Sequence, residues 1–186
     1  MLSNTDPKSS WLVEQLVAGG DGFLRGEDGR ACFVPGALPG DRIRPLELER
    51  RKGMVRVTDF QLAEPSPDRV SPPCPIADRC GGCDWMGLSR DAQLRWKGQV
   101  LQECLRRQGR VEIDVGPARS VGPDLGYRHR IRLQRSGDVV GFHARGTHDV
   151  VPVTHCPVAH PAINAALADL PDDSPLELRV TDGGTL

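Results

Sequence analysis

The chain is poor in aromatic residues, 4% of 186, with one tyrosine, three tryptophans and four phenylalanines. Base stacking on aromatic rings can therefore be only a minor source of any nucleic-acid affinity. Charge of one sign is also lacking: 24 Lys+Arg stand against 25 Asp+Glu, a formal net charge of −1. This excludes a disordered polyelectrolyte and any whole-chain electrostatic attraction to RNA or DNA, so such an argument must be local. No apolar run reaches the length of a membrane span, and Met1 to Asp6 shows no charged segment leading into an apolar one. The chain is expected to be a cytoplasmic protein without a membrane partner. It has no internal repeat, no sustained heptad and no glycine motif of the dinucleotide-binding kind after a strand.

What is present is loop-rich. Twenty-one glycines and 16 prolines punctuate short apolar segments, which predicts many short strands, a mainly β fold with some helix. Trp11–Val13, Gly22–Leu24, Ala31–Val34, Ile43–Leu46 and Met54–Val57 read as a small five-stranded barrel over residues 1–62. Prolines 65, 67, 72, 73 and 75 then forbid helix and central strand, so residues 63–89 read as a linker and a constrained loop. Ser89 opens a helix expected over 90–108, within a helical segment 90–110, with Leu94, Val100, Leu101, Cys104 and Leu105 at helical spacing. The helix carries three more positive than negative charges, so it presents either a solvated face or one for RNA.

Alternation in Tyr127–Leu133 puts Tyr127, His129, Ile131 and Leu133 on one face and Arg128, Arg130 and Arg132 on the other. Strands at 139–143 and 149–153, a turn at Ser136–Asp138, a helix from Pro161 to Ala168 and a strand Leu176–Val180 make residues 111–186 an antiparallel β domain. Its last strand and turn, ending at Gly183, Gly184 and Leu186, read as an interrupted domain.

Six cysteines in a reducing compartment are not a disulfide framework. Cys74, Cys80 and Cys83 fall within ten residues, with Gly81 and Gly82 between the last two, and Cys156 follows a strand and, like Cys74, precedes proline. Four thiolates suit an iron–sulfur cluster. Zinc accepts four thiolates as well, or three with His155, and a Cys80–Cys83 redox pair has no thioredoxin-like strand before it and helix after it. Spacing leaves cluster and zinc both open. Cys32 in a strand and Cys104 on the helix stripe read as core, and His129 as an inward, hydrogen-bonded histidine.

These residues resemble the N-terminal portion of the RNA uracil-5-methyltransferase family, S-adenosylmethionine-dependent enzymes that make 5-methyluridine in ribosomal or transfer RNA. The likeness lies in Asp28-Gly29-Arg30, Phe33 to Asp41, Ser66 to Val70, Pro73-Cys74, Cys80 to Cys83, Gln93, Lys97, Tyr127 to Arg130, Gly141-Phe142 and Cys156-Pro157. It implies that residues 1–62 form a TRAM domain, an OB-like RNA-binding barrel, and that 111–186 are part of a central RNA-recognition β domain. It also implies that Cys74, Cys80, Cys83 and Cys156 bind a [4Fe-4S] cluster, which favours cluster over zinc. The family's catalytic Rossmann-like domain, with its S-adenosylmethionine site, its attacking cysteine and its carboxylate base, has no counterpart in these motifs. No catalytic or S-adenosylmethionine-binding residue is therefore assigned, and the 186-residue chain alone is expected to be an inactive monomer. Arg128, Arg130, Arg132, Lys97, Arg106 and Arg107 are the expected phosphate contacts to RNA, with ribosomal RNA placed ahead of transfer RNA.

Overall fold

A computed structural model describes residues 10–26, 28–170, 176–181 and 184–185. The expectations for the first residues and for the turn at 182–183 lie outside these. The chain divides into two compact units, Met1–Ser71 with Gly87–Arg119, and Pro72–Met86 with Ser120–Leu186.

The first unit is built on strands β1 (Trp11–Leu12), β2 (Gln15–Leu16), β3 (Gly22–Arg25), β4 (Ala31–Val34), β5 (Arg42–Arg51) and β6 (Met54–Glu64). The sheet order is β1-β5-β6-β4-β3-β2, antiparallel except for β4 beside β6. Its two edge strands are consecutive in sequence, so a single kinked segment, residues 11–16, closes the sheet on itself. Val13 makes the kink: its N–H donates to Asp41 O at 2.9 Å and its carbonyl accepts from Gly40 N at 2.8 Å. Closure removes the unpaired edges that an open sheet of this size would present to solvent.

The alternating pattern of the short strands puts Val13, Leu24, Cys32, Val34, Ala37, Ile43, Val55 and Val57 in one core. Cys32 is 2% exposed, as a small hydrophobe in a strand should be. The expected strands are all present; β2 is an addition, and β5 and β6 run well past the segments that apolar alternation marks. Charged pairs, Glu47 with Asp59 and Glu49 with Arg56, interrupt the apolar alternation in these extensions, which hides them from hydrophobic periodicity.

Asp41 is fully buried and accepts four hydrogen bonds, from Leu38 N (2.7 Å), Ser66 N (2.9 Å), Arg69 Nε (3.0 Å) and Arg69 NH2 (2.5 Å). The proline-rich linker is thereby pinned to the barrel. Gly40 has φ of 89°, and a Cβ there would stand 2.8 Å from Ser66 Oγ, so glycine serves both the turn and the close approach. Beyond the pin, Val70 N donates to Gly87 O and Ser89 N to Asp68 O, closing a neck at the base of residues 71–86. Helix α1 (Arg90–Cys104) starts at this neck with Ser89 as its cap and ends in a π-helical turn, Leu105–Gly109. Only Ala92 of α1 is buried; Leu101 is 50% exposed and Cys104 half-buried. The expected apolar stripe, with Cys104 in a core, is therefore corrected: the residues recur at helical spacing, yet little packs over them in their own unit.

The second unit contains β7 (Arg130–Arg132), β8 (Gln134–Ser136), β9 (Val139–His143), β10 (Val150–Pro152), α2 (Pro161–Ala168), β11 (Glu177–Thr181) and β12 (Gly184–Thr185). Two antiparallel three-stranded sheets result, β10-β9-β8 and β12-β11-β7. Ile131, Leu133, Val153, Ala159, Ile163, Leu167 and Leu178 form the core, with Ile76 and Cys156 at its margin. The inward half of the 127–133 alternation holds for Ile131 and Leu133 and fails for Tyr127 and His129, both exposed. The reason is that the ladder starts only at Arg130. Upstream, the main chain turns to another partner: Arg128 N donates to Val158 O at 2.8 Å and its carbonyl accepts from His160 N at 2.9 Å. His129 lies over His160 with ring centroids 4.9 Å apart, its Nδ1 3.0 Å from Tyr127 O. Among the described residues no helix is long and apolar enough to cross a membrane.

Candidate functional site

Cys74, Cys80, Cys83 and Cys156, all half-buried free thiols, line one cavity of the second unit. The first three arrive on a loop folded by turns: Ala77 N donates to Cys74 O and Cys80 N to Ile76 O. Cys80 then bridges Ala144, and Gly81 N donates to His143 O at 2.9 Å. A Cβ on Gly81 would stand 3.1 Å from His143 O and 3.2 Å from Ala144 O, so the glycine permits the loop to lie against β9. Arg145 fixes the far side, pairing with Asp84 and donating to Cys83 O at 3.2 Å.

Cys156 is held from α2. Asn164 Oδ1 accepts from Cys156 N at 2.8 Å, and Asn164 Nδ2 donates to Cys156 O at 3.0 Å and Ala159 O at 3.3 Å. Asn164→Ala leaves Cys156 N without its acceptor and Cys156 O with Ala159 N alone, and is expected to weaken the unit by about 1–3 kcal/mol, read as a lowered urea midpoint. An unmoved midpoint would mean that water replaces the amide at no cost.

The rest of the cavity wall is mostly apolar, with Ile76, Met86, Phe142 and Val153, while Arg128 and an exposed His155 also reach it. Burial pushes the Cys80 and Cys83 thiols up, and the other thiolates of the set push them further. Arg128 opposes this at both, and the Gly82 N–H, 3.4 Å from Cys80 Sγ, opposes it at Cys80. To act as metal ligands these thiols must give up their protons.

Among the described residues no three His, Cys, Asp or Glu side chains form a ready-made site for a metal ion. A tetrahedral zinc with Zn–S bonds of about 2.3 Å needs its four sulfurs within about 3.8 Å of one another. A cubane takes its thiolates at separate irons and so suits a wider ring of cysteines around a cavity. The donor set, four thiols around one cavity, is of the kind that a cluster takes.

The basic residues singled out by sequence divide by environment. Arg130 and Arg132 both reach Glu177 Oε2, at 2.8 and 3.5 Å, across the β7–β11 pair. Arg106 and Arg107 both pair with Glu103, whose carboxyl they hold at about 2. Lys97 is exposed on α1. Arg128 differs: its NH2 donates to Gly82 O at 3.0 Å, within the cysteine loop. Arg145 and Asn164 were not legible as site residues, since neither belongs to a cysteine motif and only the fold brings them to it.

No family model matches the chain. It is 35% identical over 164 residues, 84% of its length, to an uncharacterized RNA methyltransferase of Gloeobacter violaceus, covering 35% of that protein. It is 35% identical over 173 residues, 90% of its length, to the 23S rRNA (uracil(1939)-C(5))-methyltransferase RlmD of Halomonas elongata, covering 36% of it. Among solved structures, the tRNA (uracil-54, C5)-methyltransferase of Pyrococcus abyssi, in complex with S-adenosyl-L-homocysteine, superposes with a TM-score of 0.63 at 29% identity. That match covers 87% of this chain and 35% of the other. The chain thus spans about a third of the length of the curated relatives it matches, and over that third it is similar to RNA uracil-5-methyltransferases.

Proposed function

We propose that this chain is the RNA-recognition and iron–sulfur portion of an S-adenosylmethionine-dependent RNA (uracil-5-)-methyltransferase, a cytoplasmic monomer acting on ribosomal RNA. The observation that carries the reading is the convergence of Cys74, Cys80, Cys83 and Cys156 on one cavity in a chain similar to these enzymes. Those four residues would hold a [4Fe-4S] cluster. When bound, the cluster supplies cross-links between the 74–83 loop and the Cys156 segment, and methyl transfer to a base needs no electron from it.

The remaining roles fall to the protein surface. Methylating a base edge requires the target nucleotide to leave its stack, at a cost of a few kcal/mol. Recognition surface must hold the RNA around that nucleotide. The closed sheet of the first unit, with β4 parallel to β6 and both edges made by residues 11–16, supports reading it as an OB-like TRAM barrel. Arg130, Arg132, Lys97, Arg106 and Arg107 supply phosphate contacts. Their partners Glu177 and Glu103 lie at the surface, where ion pairs contribute little and a phosphate can displace the carboxylate. The 35% identity to an enzyme named for 23S rRNA, against 29% to the tRNA enzyme, supports ribosomal RNA.

The test is anaerobic purification with iron and sulfide assay, followed by RNA binding across a salt series. Stoichiometric iron and sulfide with preference for a 23S rRNA fragment over tRNA supports the reading; zinc without sulfide, or no RNA affinity, overturns it. Replacing Arg130 and Arg132 together by Gln should lower the slope of log affinity against log salt by up to about one per residue. An unchanged slope removes them from the interface. With added S-adenosylmethionine the 186-residue chain should methylate nothing, and a methylated uridine would refute the assignment of catalysis to residues outside it.

A further inference from the structure

Alternation puts Arg128 in a row with Arg130 and Arg132, yet its surroundings are different. Its main chain is bonded in both directions to the stretch just after Cys156, through Val158 O and His160 N, in a parallel bridge with Ala159. Its side chain crosses to the other ligand segment and donates to Gly82 O at 3.0 Å, between Cys80 and Cys83. The guanidinium lines the same cavity as all four thiols, and the described ion pairs give it no carboxylate, whereas Arg130 and Arg132 share Glu177. A cation so placed faces the four sulfurs that line the cavity with it.

We infer that Arg128 is the counter-charge and strut of the cysteine centre, a positioning residue that binds the two ligand segments together and neutralises the group they hold, instead of an RNA contact. This rests on the cluster reading above. The physical basis is direct: a thiolate-bound cluster is anionic, and its negative charge grows by one on reduction, so a fixed cation stabilises the reduced form more than the oxidised one. The strut also ties the Gly82 carbonyl, between Cys80 and Cys83, to the segment that follows Cys156. Ligand exchange to solvent should therefore be slower with the arginine than without it.

The experiment uses the full 186-residue chain prepared anaerobically, as wild type, Arg128→Gln and Arg128→Lys. Three quantities are read: iron and sulfide content, the midpoint potential in a dithionite titration, in which dithionite donates the electron that the cluster gains, and the salt slope of RNA binding. Arg128→Gln should shift the potential to more negative values and shorten the half-life of the chromophore under a ferrous chelator several-fold, with the RNA salt slope unchanged. Arg128→Lys keeps the charge without the fork, so it should restore the potential in large part and the chelator resistance less. A slope lowered by about one in Arg128→Gln, with potential and half-life unmoved, would make Arg128 a phosphate contact and overturn the inference. Equal potentials in Arg128→Lys and Arg128→Gln would overturn the counter-charge role. Wild type free of iron and sulfide would overturn the cluster reading itself, a failure visible before any variant is made.

Discussion

Cys80→Ser is expected to strip iron and sulfide from the protein and to unfold residues 72–86 together with much of 120–186, while the barrel stays closed. Not one side chain of residues 72–86 is buried, and the loop contains no helix or extended strand. A segment with no fully buried side chain has only a small hydrophobic source of order, Ile76 at the core margin, to oppose its conformational entropy, of order 1–2 kcal/mol per residue. What fixes it is a few backbone bonds near Cys80, the Arg145 and Arg128 contacts and, on our reading, the cross-link to Cys156. Cys156 lies 73 residues beyond Cys83, and in the chain-entropy model a cross-link closing a loop of that length removes about 4 kcal/mol of denatured-state freedom. The core cluster of this unit is small, seven buried side chains among the described residues, so a loss of that size is expected to unfold it. Limited proteolysis checks the result: new cuts at 72–86 and 120–170 with the 10–64 fragment resistant. Iron lost from a loop that remains protected would show that the thiolate cross-link is not what orders it.

How much of this was legible in sequence follows from which physical signals are local. Glycine and proline punctuation with apolar alternation located the barrel strands, α1, α2, the 136–138 turn and β11, since each depends on residues a few positions apart. The extensions of β5 and β6 were not marked, since charged pairs such as Glu47 with Asp59 and Glu49 with Arg56 interrupt the apolar alternation there. The four cysteines could be named from spacing and resemblance, and the fold does bring all four to one cavity. The residues that hold them there could not be. Asn164 meets Cys156 only because α2 turns back over it, and Arg128 leaves its strand row because its main chain pairs with 158–160. A periodic pattern assigns a side chain to a face; it does not say where the ladder begins, and at Tyr127 and His129 that difference reversed the reading. The contacts also divide the 63–89 stretch, grouping its ends with the barrel and Pro72–Met86 with the later sheets.

Asp41→Ala is expected to cost about 3–5 kcal/mol, the range found when one partner of a buried ion pair is removed, against the 5–15 kcal/mol that holds a typical domain together. Four donors lose their acceptor at once, two of them main-chain N–H groups, at Leu38 and Ser66, with no other partner among the described bonds. The other two belong to Arg69, whose side chain is 27% exposed and so only partly able to recover hydration. Asp41→Asn should do little better, because an amide NH2 would face N–H donors at one of the two carboxylate positions. At 4–8 °C per kcal/mol for a unit of this size, the melting temperature should fall by more than about 10 °C. The fall matters for function because of where Asp41 sits. Its carbonyl accepts from Val13 at the kink that closes the barrel, while its side chain grips Ser66 and Arg69, and the neck at Val70–Gly87 lies one residue further on. Loosening one carboxylate therefore opens the barrel seam and the base of the cysteine loop together. On the function proposed above, RNA affinity and resistance of the cluster to chelators should decline in the same variant, although Asp41 touches none of the proposed phosphate contacts and no cysteine among the described contacts. A melting temperature within about 2 °C of wild type would mean that the carboxylate's four bonds are replaced by water, and that the linker is held to the barrel by packing alone.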